Sequence, residues 1–150
     1  MQRRDTDLSN ESVPRTGNEC HVRSQFPKSS TLKIDKDCMA DPECLQDYLR
    51  LILAVCKSHG VTVKSVRMCP SAHKGQHFYI RITPPVQATL ANRLHYLLGD
   101  DCQRVDFNRA RIESGLDEWS KLFERPNVRL RIIYRGVKVP AGTKVGKNGR

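Results

Sequence analysis

Apolar residues recur along this chain with two different periods, and the points where the period changes outline its elements. Over Thr31 to Lys36, Leu32 and Ile34 alternate with polar neighbours, the pattern of a strand with one buried face. Asp41-Pro42-Glu43 then has the chemistry of a helix start: a capping side chain, a proline preset for the first turn, and an acid at the positive end of the dipole. Leu45, Tyr48, Leu49, Ile52, Val55 and Cys56 follow at helical spacing, and Gly60 closes the helix. His59 falls at its C-terminus, where an imidazole suits the negative end of the dipole. Val61 to Cys69 alternates again, with a step at Val66, and Phe78 to Ile82 is an aromatic and β-branched run. Together they predict a hairpin joined by Pro70 to Gln76. After Pro84-Pro85 the period returns to that of a helix, with Val86, Leu90, Leu94, Leu97 and Leu98 on one face and Gly99 as its stop. His95 reads as a surface or core-edge residue of that helix. Cys102 to Glu113 predicts another helix, and Leu116 to Phe123 a further turn or two, with Trp119 in the core. Val128 to Tyr134 alternates as a last strand.

This order predicts an α+β domain over residues 31–134, with a mainly antiparallel sheet packed with helices. The two ends differ from it in composition. Residues 1–30 are polar, of mixed charge and without an apolar period, and read as a disordered N-terminal arm. Residues 135–150 contain Arg135, Lys138, Lys144, Lys147 and Arg150, four glycines and no acid, the composition of a basic disordered tail suited to phosphates. At 150 residues the chain has room for one hydrophobic core.

Charge changes the picture more than size does. Lys and Arg number 26 against 16 Asp and Glu, a net charge of +10, which makes a polyanion, and nucleic acid first among them, the expected partner. Composition does not distinguish DNA from RNA. No amphipathic basic helix or long apolar run suits a membrane, and the polar first ten residues do not read as a signal peptide, so a cytoplasmic location is expected. The six cysteines, scattered through strand-like and helix-like stretches, read there as free thiols.

Two short stretches carry candidate chemistry. Asp35 and Asp37 stand two residues apart at the end of the first strand, so a period of two puts both carboxylates on one face. Such a pair is most easily kept ionised by a divalent cation, as metal-assisted phosphoryl transfer requires. The loop Ser71-Ala72-His73-Lys74-Gly75-Gln76-His77 leads into the second hairpin strand. Its glycine permits close backbone approach, while a hydroxyl, an ammonium and an imidazole converge as phosphate donors. Cys69, His73 and His77 recur every four residues, a spacing that would align metal ligands on a helix, with Cys38 or Cys102 as a fourth. Pro70 and Gly75 argue against that helix and so against zinc. Phe78 or Tyr79 can stack on a base only if it faces away from the core, because alternate residues of the strand face inward.

In chain order, carboxylates closing a strand, then a helix, then a Ser/Gly/His loop opening a hairpin strand, this resembles the archaeo-eukaryotic primase-polymerase superfamily over about Thr31 to Ile112. The resemblance implies an RRM-like palm core and a nucleotidyltransferase, catalytic or vestigial, of the small kind found in viruses and plasmids. It implies that Asp35, Asp37 and either Asp101 or Asp106 hold Mg²⁺ or Mn²⁺, and that Ser71, Lys74, Gly75 and His77 hold a nucleoside triphosphate. Arg104, Arg109 and Arg111 are then near enough in sequence to serve phosphates. This chain departs from the family pattern at Lys36, where an apolar strand residue is usual, and in a Ser71-to-His77 spacing one residue longer than the common form. The alternatives are a non-catalytic DNA- or RNA-binding protein and a structural protein of an RNP.

Overall fold

A computed structural model describes residues 27–37, 41–71, 75–122 and 128–136. Among these residues the order is β1 (Lys28–Lys36), α1 (Pro42–Ser58), β2 (Thr62–Pro70), β3 (Gln76–Gln87), α2 (Ala88–Leu97), α3 (Cys102–Glu113) and β4 (Arg131–Arg135). The strands form one sheet in the order β1-β3-β2-β4, and every neighbouring pair is antiparallel. β1 and β2 are therefore parallel to each other, joined by α1 and separated by β3, which makes a split β-α-β unit. The connection through α2 and α3 ends at the β2 side of the sheet, so β1 remains an edge strand. The expected α+β class with an antiparallel sheet is what is seen. No helix of the described residues is long and apolar enough to cross a membrane.

Alternation along the strands divides the sheet into an inner and an outer face. Leu32, Ile34, Val63, Val66, Phe78, Ile80 and Ile82 point inward and are buried. Onto them pack Tyr48, Ile52 and Cys56 of α1, Ala88, Ala91 and Leu94 of α2, and Leu98, which caps α2. Burying a side chain of this size contributes roughly 1.5–3 kcal/mol. Tyr48 sits edge-on to Phe78 with centroids 4.9 Å apart, and its hydroxyl donates to the Leu98 carbonyl at 2.9 Å, which ties α1 to the end of α2. Lys36, in the inward row with Gln76 and Pro70, holds its ammonium 5.1 Å from the Tyr48 ring centroid. A cation over an aromatic face keeps a favourable contact, so a lysine is accommodated at that inward position. The outer face carries the rows Asp35, His77, Cys69 and Lys33, Tyr79, Arg67.

Several boundaries differ from the sequence expectation. β1 begins at Lys28, inside the stretch read as an arm, because Lys28 and Ser29 pair with Gln87 and Val86 across a register shift. β3 accordingly runs through Pro84-Pro85, and α2 begins only at Ala88. Arg135, assigned to the tail, closes β4 opposite Ser65. α3 ends at Glu113, and residues 116–122 form turns and irregular chain instead of a helix. The remaining arm, the tail residues Lys138, Lys144, Lys147 and Arg150, and Lys74 lie outside the described residues.

Candidate active site

A strand at a sheet edge leaves backbone groups without a ladder partner, and buried ones need partners from elsewhere. On β1 they come from side chains. The Lys33 amide donates to His95 Nε2 at 3.3 Å, the Asp35 amide to Asp100 Oδ1 at 2.9 Å, and the Lys33 carbonyl accepts from Arg104 at 2.7 Å. Local geometry explains how Asp100 reaches that edge. α2 ends in a turn in which Gly99, at φ +74°, donates to the Tyr96 carbonyl and Asp100 to that of His95, each at 3.0 Å. A left-handed residue at this position suits glycine, and the next residue is returned alongside the last helical turn.

Asp100 is fully buried at its side chain and pairs there with Arg104, four residues on. Its Oδ2 also lies 3.3 Å from His95 Nδ1. Burial drives the His95 pKa down more than the contact with Asp100 raises it. Because Nε2 accepts from Lys33, the single proton of the neutral ring belongs on Nδ1, facing Asp100. Arg104 donates further to Ser120 Oγ at 3.0 Å and to the Lys121 carbonyl at 3.1 Å, while Trp119 lies against His95 at 5.4 Å between centroids. One buried charge cluster thus joins β1, α2, α3 and the segment at 119–121.

Beside this cluster lies a cleft of about 450 Å³. Asp35, Asp37, Ser71 and His77 line one side, and Asp101, Arg104, Phe107 and Arg111 the other. The Asp35 carboxyl faces His77, with Oδ1 3.5 Å from Nε2. Its pKa is raised, first by burial and further by Asp37 and Asp100, while His77 and Arg104 pull it back. Carboxylates, an imidazole, a hydroxyl and the Arg111 guanidinium in one cleft can bind a phosphate ester and, through the acids, a divalent cation.

Gly75 closes the Ser71 loop onto the end of β1. The Ser71 amide donates to the Gly75 carbonyl at 2.9 Å, and the Gly75 amide to Ser71 Oγ at 3.1 Å. A Cβ at position 75 would stand 2.6 Å from the Lys36 carbonyl oxygen and 3.2 Å from the Asp37 Cα. Backbone that close cannot yield cheaply, so Gly75→Ala is expected to destabilise the domain by about 1–3 kcal/mol and to move the Ser71 loop off the acids. Thermal denaturation together with amide chemical shifts of Ser71, Asp37 and His77 checks this. Unchanged stability and shifts would mean that the close approach is not needed.

Of the residues singled out from sequence, Asp35, Asp37, Ser71, His77, Asp101, Arg104 and Arg111 border this cleft, with Gly75 behind them. Asp106 and Arg109 do not; they pair with each other at 3.1 Å and line a separate groove of about 520 Å³ between α2 and α3. Asp101 reaches the cleft, but its carboxylate caps α3 by accepting from the Arg104 amide at 2.9 Å. Arg104 was expected to serve phosphates, whereas its guanidinium is directed at Asp100, the Lys33 carbonyl and Ser120. Asp100, Phe107 and the structural part played by His95 were not anticipated. The inward stripe Ala88, Ala91, Leu94, His95, Leu98 carried the signal for His95.

Of the residues weighed for zinc, two come together. Cys69 and His77 are cross-strand partners in the outer row with Asp35, while His73 and Cys38 lie outside the described residues. Cys102 lines the α2–α3 groove. Among the described residues no three His, Cys, Asp or Glu side chains are grouped to hold a metal ion on their own. Phe78 is a core residue, so of the two candidates for stacking only Tyr79 faces outward. Comparison with known proteins found no counterpart for this arrangement: no family model, no curated protein and no solved structure matches the chain.

Proposed function

We propose that the chain is a small nucleotidyltransferase module of the primase-polymerase kind, acting on nucleic acid with a nucleoside triphosphate as substrate. The observation that carries this reading is that the acids at the end of β1 and the Ser71 and His77 of the following loop, more than 30 residues apart in sequence, face one cleft. The first split β-α-β unit and the antiparallel sheet are consistent with a palm-like core, and the net charge of +10 suits a nucleic-acid partner.

Asp35 and Asp37 would hold Mg²⁺ or Mn²⁺. Their fit is that of a shared site: Mg²⁺ is commonly bound through one or two carboxylates, with substrate phosphates and water completing the shell. Asp35 and Asp37 stand together at the end of β1, while the third acid of the cleft, Asp101, is engaged in capping α3. When bound, the ion would polarise the phosphoryl group and neutralise charge developing on it. The chain itself binds and orients. Ser71, His77 and Arg111 offer donors to phosphate oxygens. Asp100, through the Asp35 amide, fixes the backbone that carries the acids. Little covalent chemistry is asked of the protein, as is usual in phosphoryl transfer.

The test is a calorimetric titration of the full chain with a nucleoside triphosphate, with Mg²⁺, with Mn²⁺ and with neither. Binding that requires the ion and is lost in the Asp35→Ala, Asp37→Ala double variant is expected. No ion-dependent binding by the wild type would overturn the proposal and leave a nucleic-acid-binding protein without this chemistry.

A further inference from the structure

α3 presents three different stripes. Val105, Asn108 and Ile112 are buried, and Asp106, Arg109 and Glu113 line the groove with α2. The third stripe, Gln103, Phe107 and Arg111, follows at four-residue intervals and lies along the cleft that holds the acids. Residues four apart on a helix stand one above the other, so a phenyl ring is set between an amide and a guanidinium on the same wall.

Phe107 is 63% exposed. Single exposed apolar residues are ordinary and need no explanation by themselves. Its neighbours distinguish this one. A cleft built from acids, a hydroxyl, an imidazole and the Arg111 guanidinium gives a bare phosphate ester the contacts it can use and has no need of an aromatic wall. A nucleobase does need one, because its π face gains by stacking on an aromatic ring. A side-chain amide on one flank can both donate to and accept from a base edge, and a guanidinium on the other can reach a phosphate. The cleft volume of about 450 Å³ lies within the range of small-ligand sites. Tyr96, another exposed aromatic of the described residues, lines the other groove and is not available to this cleft.

We propose that Phe107 is the stacking platform for the base of the bound nucleotide, with Gln103 and Arg111 flanking it, so that the cleft selects a nucleobase and not phosphate alone. This rests on the nucleotide-binding reading of the same cleft. The ring would position the substrate and take no part in proton transfer.

The experiment measures ion-dependent binding of a nucleoside triphosphate, of inorganic tripolyphosphate and of a short single-stranded oligonucleotide to four full-length proteins: wild type, Phe107→Ala, Phe107→Leu and Phe107→Trp. An exposed position leaves the fold intact, which circular dichroism verifies. Stacking energies measured by alanine substitution correspond to a loss of about 5- to 150-fold. That loss is expected for the triphosphate with Phe107→Ala and with Phe107→Leu, which keeps the apolar bulk but not the π face, while tripolyphosphate binding stays unchanged. Emission of the Phe107→Trp variant, above the background of the buried Trp119, should be quenched by the triphosphate and not by tripolyphosphate. Quenching by the oligonucleotide alone would assign the platform to a base of the nucleic acid and overturn its assignment to the free nucleotide. Equal triphosphate binding by all four proteins would overturn the role of Phe107 while sparing the nucleotide site. No binding of either triphosphate or tripolyphosphate by the wild type would overturn both.

Discussion

Asp100→Ala is expected to destabilise the domain by about 3–5 kcal/mol, the usual cost of removing one partner from a buried ion pair. The Asp100 side chain is fully buried and faces Arg104, His95 and the Asp35 amide together. Without it the guanidinium of Arg104 stays largely buried without its paired carboxylate, and the Asp35 amide at the sheet edge loses its acceptor. At about 4–8 °C per kcal/mol for a domain of this size, the melting temperature should fall by at least about 12 °C. The neighbouring Asp101→Ala gives the contrast, since it removes only a helix cap worth about 0.5–2 kcal/mol. Thermal or urea denaturation of the two variants side by side checks the assignment. Equal, small losses would mean that β1 does not depend on the charge cluster.

The second large effect is on chemistry and has the opposite sign for stability. Replacing Asp35 and Asp37 together by alanine is expected to remove all Mg²⁺- or Mn²⁺-dependent nucleotide incorporation while leaving the fold intact. Neither side chain serves the core: Asp37 is exposed, and Asp35 meets His77 on the outer face. The Asp35 pKa is raised, chiefly by burial and then by Asp37 and Asp100. A carboxyl whose folded pKa is raised favours the folded state while protonated, and that contribution disappears as pH rises through the raised value. Near neutral pH the ionised acid therefore opposes folding. The double variant should be as stable as wild type or more so there, with the advantage shrinking as pH falls and Asp35 takes up a proton. Such a cost, retained in the fold, is the kind that a functional site imposes. Denaturation midpoints from pH 4 to 8 for both proteins test the sign, and a variant that is less stable at neutral pH would contradict it.

The parts of this fold that local chemistry specifies were legible in sequence. Asp41-Pro42 and Gly60 bracket α1, because caps and stops act within a few residues, and the Cys102 to Glu113 bounds of α3 were read as well, though not the part of Asp101 as its cap. Errors came where distant pairing decides. Lys28 and Ser29 have no apolar period, yet join β1 because β3 continues past Pro84-Pro85 to meet them. Leu116 to Phe123 looked like a further turn or two of helix, but His95 and Arg104 hold the segment at Trp119 to Lys121 in an irregular path. The site followed the same rule. Asp35, Asp37, Ser71 and His77 were legible because a strand end and a hairpin loop restrict where they can go. Between Asp101 and Asp106 the sequence did not choose, since their difference is one of place on α3: Asp101 caps the helix beside the cleft, and Asp106 lines the groove with α2.

The most direct measurement is a primer-synthesis and primer-extension assay on the full chain with Mg²⁺ and with Mn²⁺, run beside the Asp35→Ala, Asp37→Ala variant and a nucleic-acid binding titration. Ion-dependent incorporation by the wild type, its absence in the variant, and nucleic-acid binding retained by both are expected, since removing two negative charges cannot weaken attraction to phosphates. Absence of incorporation by the wild type with either ion, or incorporation by the variant equal to wild type, would contradict the account.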